Sequence, residues 1–164
     1  MVKYSPAHRV VVKSHAGLLL FACGSAVAQT HQERVHEMSH SVMPFDMAKT
    51  VHIFKMTESG GVERVIVTDK SYADQIKLIQ QHLREEAGRF QRGDYADPAK
   101  LHGADMPGLR ELQLGARRVK VSYFNLPEGA EIRFETTDPH LLTAMHRWFG
   151  AQLSEHGADA KAEL

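Results

Sequence analysis

The sequence predicts an α+β fold, with two ββα units forming one antiparallel sheet and two helices packed on one of its faces. Three observations predict it. Two pairs of β-prone runs are each joined by turn residues, each pair is followed by an amphipathic helical run, and the strands alternate so as to bury one face of the sheet.

The ordered part begins near Thr50. Residues 50 to 57 (TVHIFKMT) and 62 to 68 (VERVIVT) flank Glu58-Ser59-Gly60-Gly61, which is turn chemistry, so they read as a hairpin. Asp74 is placed to cap a helix, with Ile76, Ile79, Leu83, Ala87 and Phe90 at helical spacing and Gly93 as its stop. Residues 118 to 125 (RVKVSYFN) and 130 to 137 (AEIRFETT) form a second hairpin around Leu126-Pro127-Glu128-Gly129. Asp138 then caps a helix with Pro139 in its first turn, Leu142, Met145, Phe149 and Leu153 as its stripe, and Gly157 as its end. Asp74, His82 and Gly93 are separated by the same intervals as Asp138, His146 and Gly157, which suggests an internal repeat.

Alternation assigns the faces. Val119, Val121 and Tyr123 oppose Lys120 and Ser122, and Ala130, Ile132, Phe134 and Thr136 oppose Glu131, Arg133 and Glu135. If the first strand follows its repeat partner, Val51 and Ile53 face the core, and His52, Phe54 and Met56 form a patch on the open face. Between the units, 94 to 116 combines Pro98, Gly103, Pro107, Gly108 and Gly115 with a short helix expected from Pro107 to Leu114. A connector of this length, carrying Leu101, Met106, Leu109, Leu112 and Leu114, reads as an ordered functional loop.

The first 28 residues have the grammar of an export signal: basic Lys3, Arg9 and Lys13, an apolar run from Ala16 to Ala22, and Ala26-Val27-Ala28 before a cleavage point. The apolar run is much shorter than the roughly 20 residues of a membrane span. Leu20-Phe21-Ala22-Cys23 offers a lipoprotein box as the alternative processing. The expected organisation is a signal at 1–28, a His- and Met-rich arm at 29–48, one domain at 49–157 (units 50–93 and 117–157 around a central loop 94–116) and a tail at 158–164. The expected location is the periplasm or the exterior.

Cleavage after Ala28 removes the sole cysteine, which excludes disulfides, thiolate metal sites and a Cys nucleophile. It also removes three basic residues and no acidic ones, leaving 17 Lys plus Arg against 20 Asp plus Glu and a formal charge of −3. That balance argues against nucleic acid as a partner.

Candidate chemistry is concentrated in histidines. In the arm, His36 and His40 are four residues apart with Met38, Met43 and Met47 nearby and His52 not far along the chain, a donor set that suits copper or zinc. The competing reading is a polar leader in which Met43 and Phe45 pack against the domain. In the central loop, His102, Asp105 and Met106 could bind a ligand, or His102 and Asp105 could act as acid and base; HGADMPGL also reads as a turn entering a helix. His82 and His146 lie roughly 80–100 degrees from the centres of their stripes, so both read as boundary residues, with Glu86 a surface partner of His82. Trp148 and Phe149 read as core and boundary anchors and His156 as a helix-end residue. No GxSxG elbow, P-loop, GxGxxG, HExxH or cysteine pair is present.

MPFD at 43–46, HGADMPGL at 102–109 and HRWFGAQLSEHGADA at 146–160 resemble a group of short exported proteobacterial proteins, some of which carry the label aspartate carbamoyltransferase. The resemblance implies no established activity. Carbamoyltransferases resemble two packed α/β domains of about twice this length, with a Ser-Thr-Arg-Thr phosphate loop; this sequence has neither.

The leading expectation is a non-catalytic binding or accessory module for a small ligand, a metal ion or a partner protein. A hydrolase or lyase built on His102 and Asp105, and a structural domain that forms a homodimer through its open sheet face, are the alternatives from other classes.

Overall fold

The computed structural model describes Met1 and residues 29–164; the segment read as an export signal, with Cys23 and the expected cleavage after Ala28, lies outside the described residues. Thr30 opens the first helix, α1 (His31–Ser39), through a capping box with Glu33, so the arm is helical where the sequence showed no sustained period. Its inner side buries Val35 and Ser39.

Strands β1 (Thr50–Thr57) and β2 (Gly60–Val67) pair antiparallel, with Thr57 opposite Gly60 and a two-residue loop at Glu58-Ser59. Gly60 therefore belongs to the strand rather than to the turn. A Cβ there would lie 1.8 Å from Phe134 O of the neighbouring strand, so the close approach requires glycine. Helix α2 (Ala73–Gln91) follows; its N-cap is Tyr72 and Asp74 sits in the first turn, where a carboxylate suits the helix dipole. The central connector holds two short helices, α3 (Ala96–His102), which the sequence did not announce, and α4 (Leu109–Gly115). Strands β3 (Lys120–Leu126) and β4 (Gly129–Glu135) form the second hairpin. The last helix, α5 (Pro139–His156), is capped by Asp138, whose side chain accepts from His140 N and Leu141 N, with Pro139 in the first turn. Residues expected as a tail instead supply β5 (Ala160–Ala162), parallel to β1.

The sheet order is β3-β4-β2-β1-β5, so the second strands of the two hairpins meet at the centre. Each long helix crosses to the other hairpin: α2 lies over β3 and β4, and α5 over β1, β2 and β5. Both helices share one face, because Phe90 of α2 and Trp148 of α5 meet edge to face at 5.6 Å, and Phe134 of β4 touches both. No described helix is long and apolar enough to cross a membrane.

One facing assignment is reversed. Val119, Val121, Ala130, Ile132 and Phe134 join the core as the alternation predicts, but β1 turns His52 and Phe54 to the helices, 3% and 1% exposed. The register sets His52 opposite Val65 and Phe54 opposite Glu63, and Phe54 packs at 5.1 Å on Phe149 of α5. The cause is local. In TVHIFKMT each alternate row carries two apolar or aromatic residues, Val51 and Ile53 in one and Phe54 and Met56 in the other, so period alone leaves the face open, and a one-residue offset inverts every side chain. Of the expected surface patch, only Met56 is exposed.

Two glycine substitutions test this packing by urea denaturation. Gly60→Ala is expected to lose at least about 2 kcal/mol, because its methyl meets backbone that has no room to move. Gly88→Ala, on α2, brings its methyl only to ordinary contact with Arg92 and is expected to gain about 0.5–1 kcal/mol through helix propensity. Equal effects at the two positions would contradict the assigned register.

Candidate functional site

The reversed strand places an imidazole inside the domain, and other polar groups gather around it. His52 of β1 and Glu63 of β2 point from the sheet; His82 and Glu86, one turn apart, descend from α2; His102 ends α3; Gln152 and His156, one turn apart, come from α5. Together with Val42 and Met43 at the end of the arm, they line a cavity of about 40 Å³. Phe45, also from the arm, covers it, its ring 6.0 Å from His52 and 5.7 Å from His82.

Three rings form a chain in this wall. His52 and His156 are nearly parallel with centroids 5.0 Å apart, and His102 meets His156 edge to face at 4.9 Å. His102 is fixed from behind: its Nδ1 donates to Glu155 Oε2 at 2.7 Å, and the same oxygen receives His31 Nε2 of the arm at 2.9 Å. The carboxylate thereby selects the tautomer that leaves His102 Nε2 as an acceptor, an assignment made from the hydrogen-bond network. Four described buried side-chain atoms have no hydrogen-bond partner: Tyr95 Oη and Trp148 Nε1 in the aromatic core, and His52 Nδ1 and Gln152 Oε1 on residues that line the cavity.

Burial controls the protonation of this wall. It holds the His52 imidazole down to about 3, with His82 and His102 adding like-charge repulsion. The same causes, burial first and then His52 and His102, keep His156 well below its ordinary range. Burial also lowers His102, against the pull of Glu155, and lowers His82. The carboxyls move the other way. Burial pushes Glu63 up to about 7, and burial together with the neighbouring Asp97 pushes Glu86 up to about 8 despite Arg89. At mildly acidic pH His52 is therefore a neutral imidazole, and Glu63 and Glu86 are neutral carboxyls.

The sequence candidates are distributed unevenly around this centre. His52 and His102 line it, and Phe54 packs beside His52 with ring centroids 6.4 Å apart. Met106 is buried in the core, while Asp105 is exposed, so the two residues proposed as acid and base do not form a pair; His102 takes Glu155 instead. In the arm, His36 Nδ1 bonds Asp159 Oδ2 at 2.7 Å, the His36 and His40 rings stand 6.2 Å apart, Met38 is exposed and Met43 packs on the core. Among the described residues no group of three or more His, Cys, Asp or Glu is arranged to hold a metal ion. His146 is outside the cavity, its Nε2 placed against Thr57 O and Gly60 O at the β1–β2 hairpin.

Sequence reasoning missed Glu63, Gln152 and the inward role of His82 and Glu86. Glu86 is not a surface partner of His82 but is 6% exposed. A signal was present at Glu63, a carboxylate in the inward row of an otherwise apolar strand (Glu63, Val65, Val67). Comparison with protein-family models, with curated proteins and with solved structures returned no match.

The opposed shifts give this domain a pH signature. A carboxyl raised on folding leaves stability intact below its unfolded value of 4.5 and removes it as pH climbs through the folded value; imidazoles lowered on folding leave stability intact above 6.5 and remove it as pH falls. Glu63→Gln is therefore expected to gain on the native protein by about 2–3 kcal/mol between pH 4.5 and pH 8, read from urea midpoints. A difference between the two proteins that does not change with pH would show that Glu63 ionises freely in the fold.

Proposed function

We propose that the described domain is a non-catalytic binding module of an exported protein, enclosing a small polar ligand of a few heavy atoms in the cavity bounded by His52, Gln152 and His156. The observation that carries this reading is the pair of unpartnered buried atoms, His52 Nδ1 and Gln152 Oε1, on two residues lining one cavity. Each such atom costs about 1–3 kcal/mol when left unsatisfied. Two in a single cavity are accounted for by a ligand that supplies the missing hydrogen bonds.

Size and chemistry narrow the ligand. A volume of about 40 Å³ admits roughly two to four water-sized groups, hence an ion or a very small molecule. The wall offers imidazoles, carboxyls and an amide, and no hydroxyl, thiol or amine side chain. Binding is favoured over the hydrolase alternative because its acid–base pair is not assembled: Asp105 is exposed and His102 is bonded to Glu155. The arm supports the role of a cover: besides His31 and His36, Gln32 donates to Ser154 O at 2.8 Å, and Lys100 holds Ser41 O at 3.1 Å.

Gln152→Leu tests the reading without knowledge of the ligand. Replacing an unsatisfied amide by an apolar group of similar size is expected to raise stability by about 1–2 kcal/mol, seen as a Tm a few degrees higher when no ligand is added. A lower Tm would mean that Gln152 already has its partners in the folded protein, and the cavity would lose its claim to be a binding site.

A further inference from the structure

Resting on the reading of this cavity as a ligand site, we propose that its ligand is a small ammonium-type cation, either ammonium itself or a primary alkylammonium of a few heavy atoms. It is held by N–H donation to Gln152 Oε1, His52 Nδ1 and the Glu63 carboxylate. Hydrogen-bond demand, charge and the surrounding wall each point to it.

The demand is for a donor. Gln152 Oε1 and His52 Nδ1 are unpartnered atoms of residues 5% and 3% exposed, and both residues line the cavity. An amide oxygen only accepts, so the group that satisfies it carries an N–H or O–H, which a bare anion lacks. His52 Nδ1 accepts from the same kind of donor when its ring is protonated at Nε2. The space of about 40 Å³ limits that donor to roughly two to four heavy atoms.

The charge of the wall is negative. Glu63, Glu86 and Asp97 line the cavity, and Arg89 bonds Glu86 and Asp97. Glu63 has no basic partner among the described residues, and burial is the cause of its raised value. By contrast Glu131 of β4, buried on the other face of the sheet, is paired with both Arg64 and Arg133. The ionised wall therefore carries negative charge beyond what Arg89 balances. Magnitudes decide the sign of the ligand. At pH 7, placing a proton on His52, held down to about 3, in order to receive an anion costs about 10,000-fold in affinity. Ionising Glu63, at about 7, in order to receive a cation costs only about twofold.

The rest of the wall suits a nitrogen cation. Phe90 lines the cavity and Phe45 covers it, so aromatic surface borders a cation held there. α5 ends at His156, which puts the negative end of its dipole at this wall. Imidazole and amide acceptors suit an N–H donor, whereas a hard alkali ion prefers oxygen ligands.

The experiment is calorimetric titration of the protein with methylammonium chloride in sodium phosphate at pH 8, where Glu63 is ionised. Potassium chloride supplies a cation without N–H groups, and methanol supplies a neutral donor with as many heavy atoms. One methylammonium per chain is expected, bound at least about 10-fold more tightly than either comparison probe. Glu63→Gln, which keeps the shape and removes the charge, and Gln152→Leu should each weaken it at least about 10-fold. Glu58→Gln, which removes the same charge from the exposed β1–β2 loop, should leave binding unchanged. An equal loss in Glu58→Gln would overturn the proposal, because the effect would then belong to net charge. Methanol bound as tightly as methylammonium, with Glu63→Gln indistinguishable from the native protein, would overturn the cation and support a neutral ligand in the same cavity. Absence of binding by every probe would overturn the ammonium assignment; a raised Tm in Gln152→Leu would then keep the cavity as a site for another small ligand, and a lowered Tm would remove both.

Discussion

The burial of His52 and Glu63 on the helix-covered face of the sheet is the constraint around which this domain is arranged. An imidazole and a carboxyl in the inner rows of β1 and β2 cannot be packed as aliphatic side chains would be; each needs a neutral state, a polar neighbour, or both. The surroundings supply these. α2 contributes His82 and Glu86, α5 contributes Gln152 and His156, and the connector bends so that α3 delivers His102. The aromatic core of Phe54, Phe90, Phe134, Trp148 and Phe149 lies alongside and fixes the spacing between helices and sheet. The domain thus has an apolar half that holds it together and a polar half that is tolerated at a cost.

The asymmetry between the two ββα units follows from the same constraint. Where α2 carries Glu86, α5 carries Gly150 at the matching position, and where His82 faces the cavity, His146 is tied to the carbonyls of the β1–β2 hairpin. One unit therefore uses its helical histidine to line a pocket and the other uses it to hold a turn. The arm closes the polar half only. Phe45 lies against His52 and His82, and α1 is fastened to the end of α5 through Glu155, Asp159 and Ser154 O.

The fold was legible in the sequence wherever one strong local signal acted alone. Asp138-Pro139 started α5, Gly157 ended it, and the alternation in β3 and β4 oriented half of the sheet. It was illegible where two signals competed. In β1 each row carried two apolar or aromatic residues, so its face depended on pairing with β2, a tertiary fact. β5 is three residues long and is held by pairing with β1, and α3 is a single short run, so neither carries a periodic pattern. For the site, His52 and His102 were nominated from the sequence, but as parts of two separate surfaces; their meeting requires β1 to be inverted. Glu63, Gln152 and the cavity side of α2 had no motif to announce them, because their chemistry comes from being enclosed rather than from spacing.

The central claim is that a chain of enclosed imidazoles lies under the arm, and nitrogen-detected NMR of the imidazole rings tests it most directly. At pH 5 the account predicts that His52 and His156 are neutral and slow to exchange with solvent, while the Nδ1 proton of His102 is retained in its hydrogen bond to Glu155. If His52 and His156 instead take up protons near 6.5 with rapid exchange, the cavity is open to water and the account is contradicted.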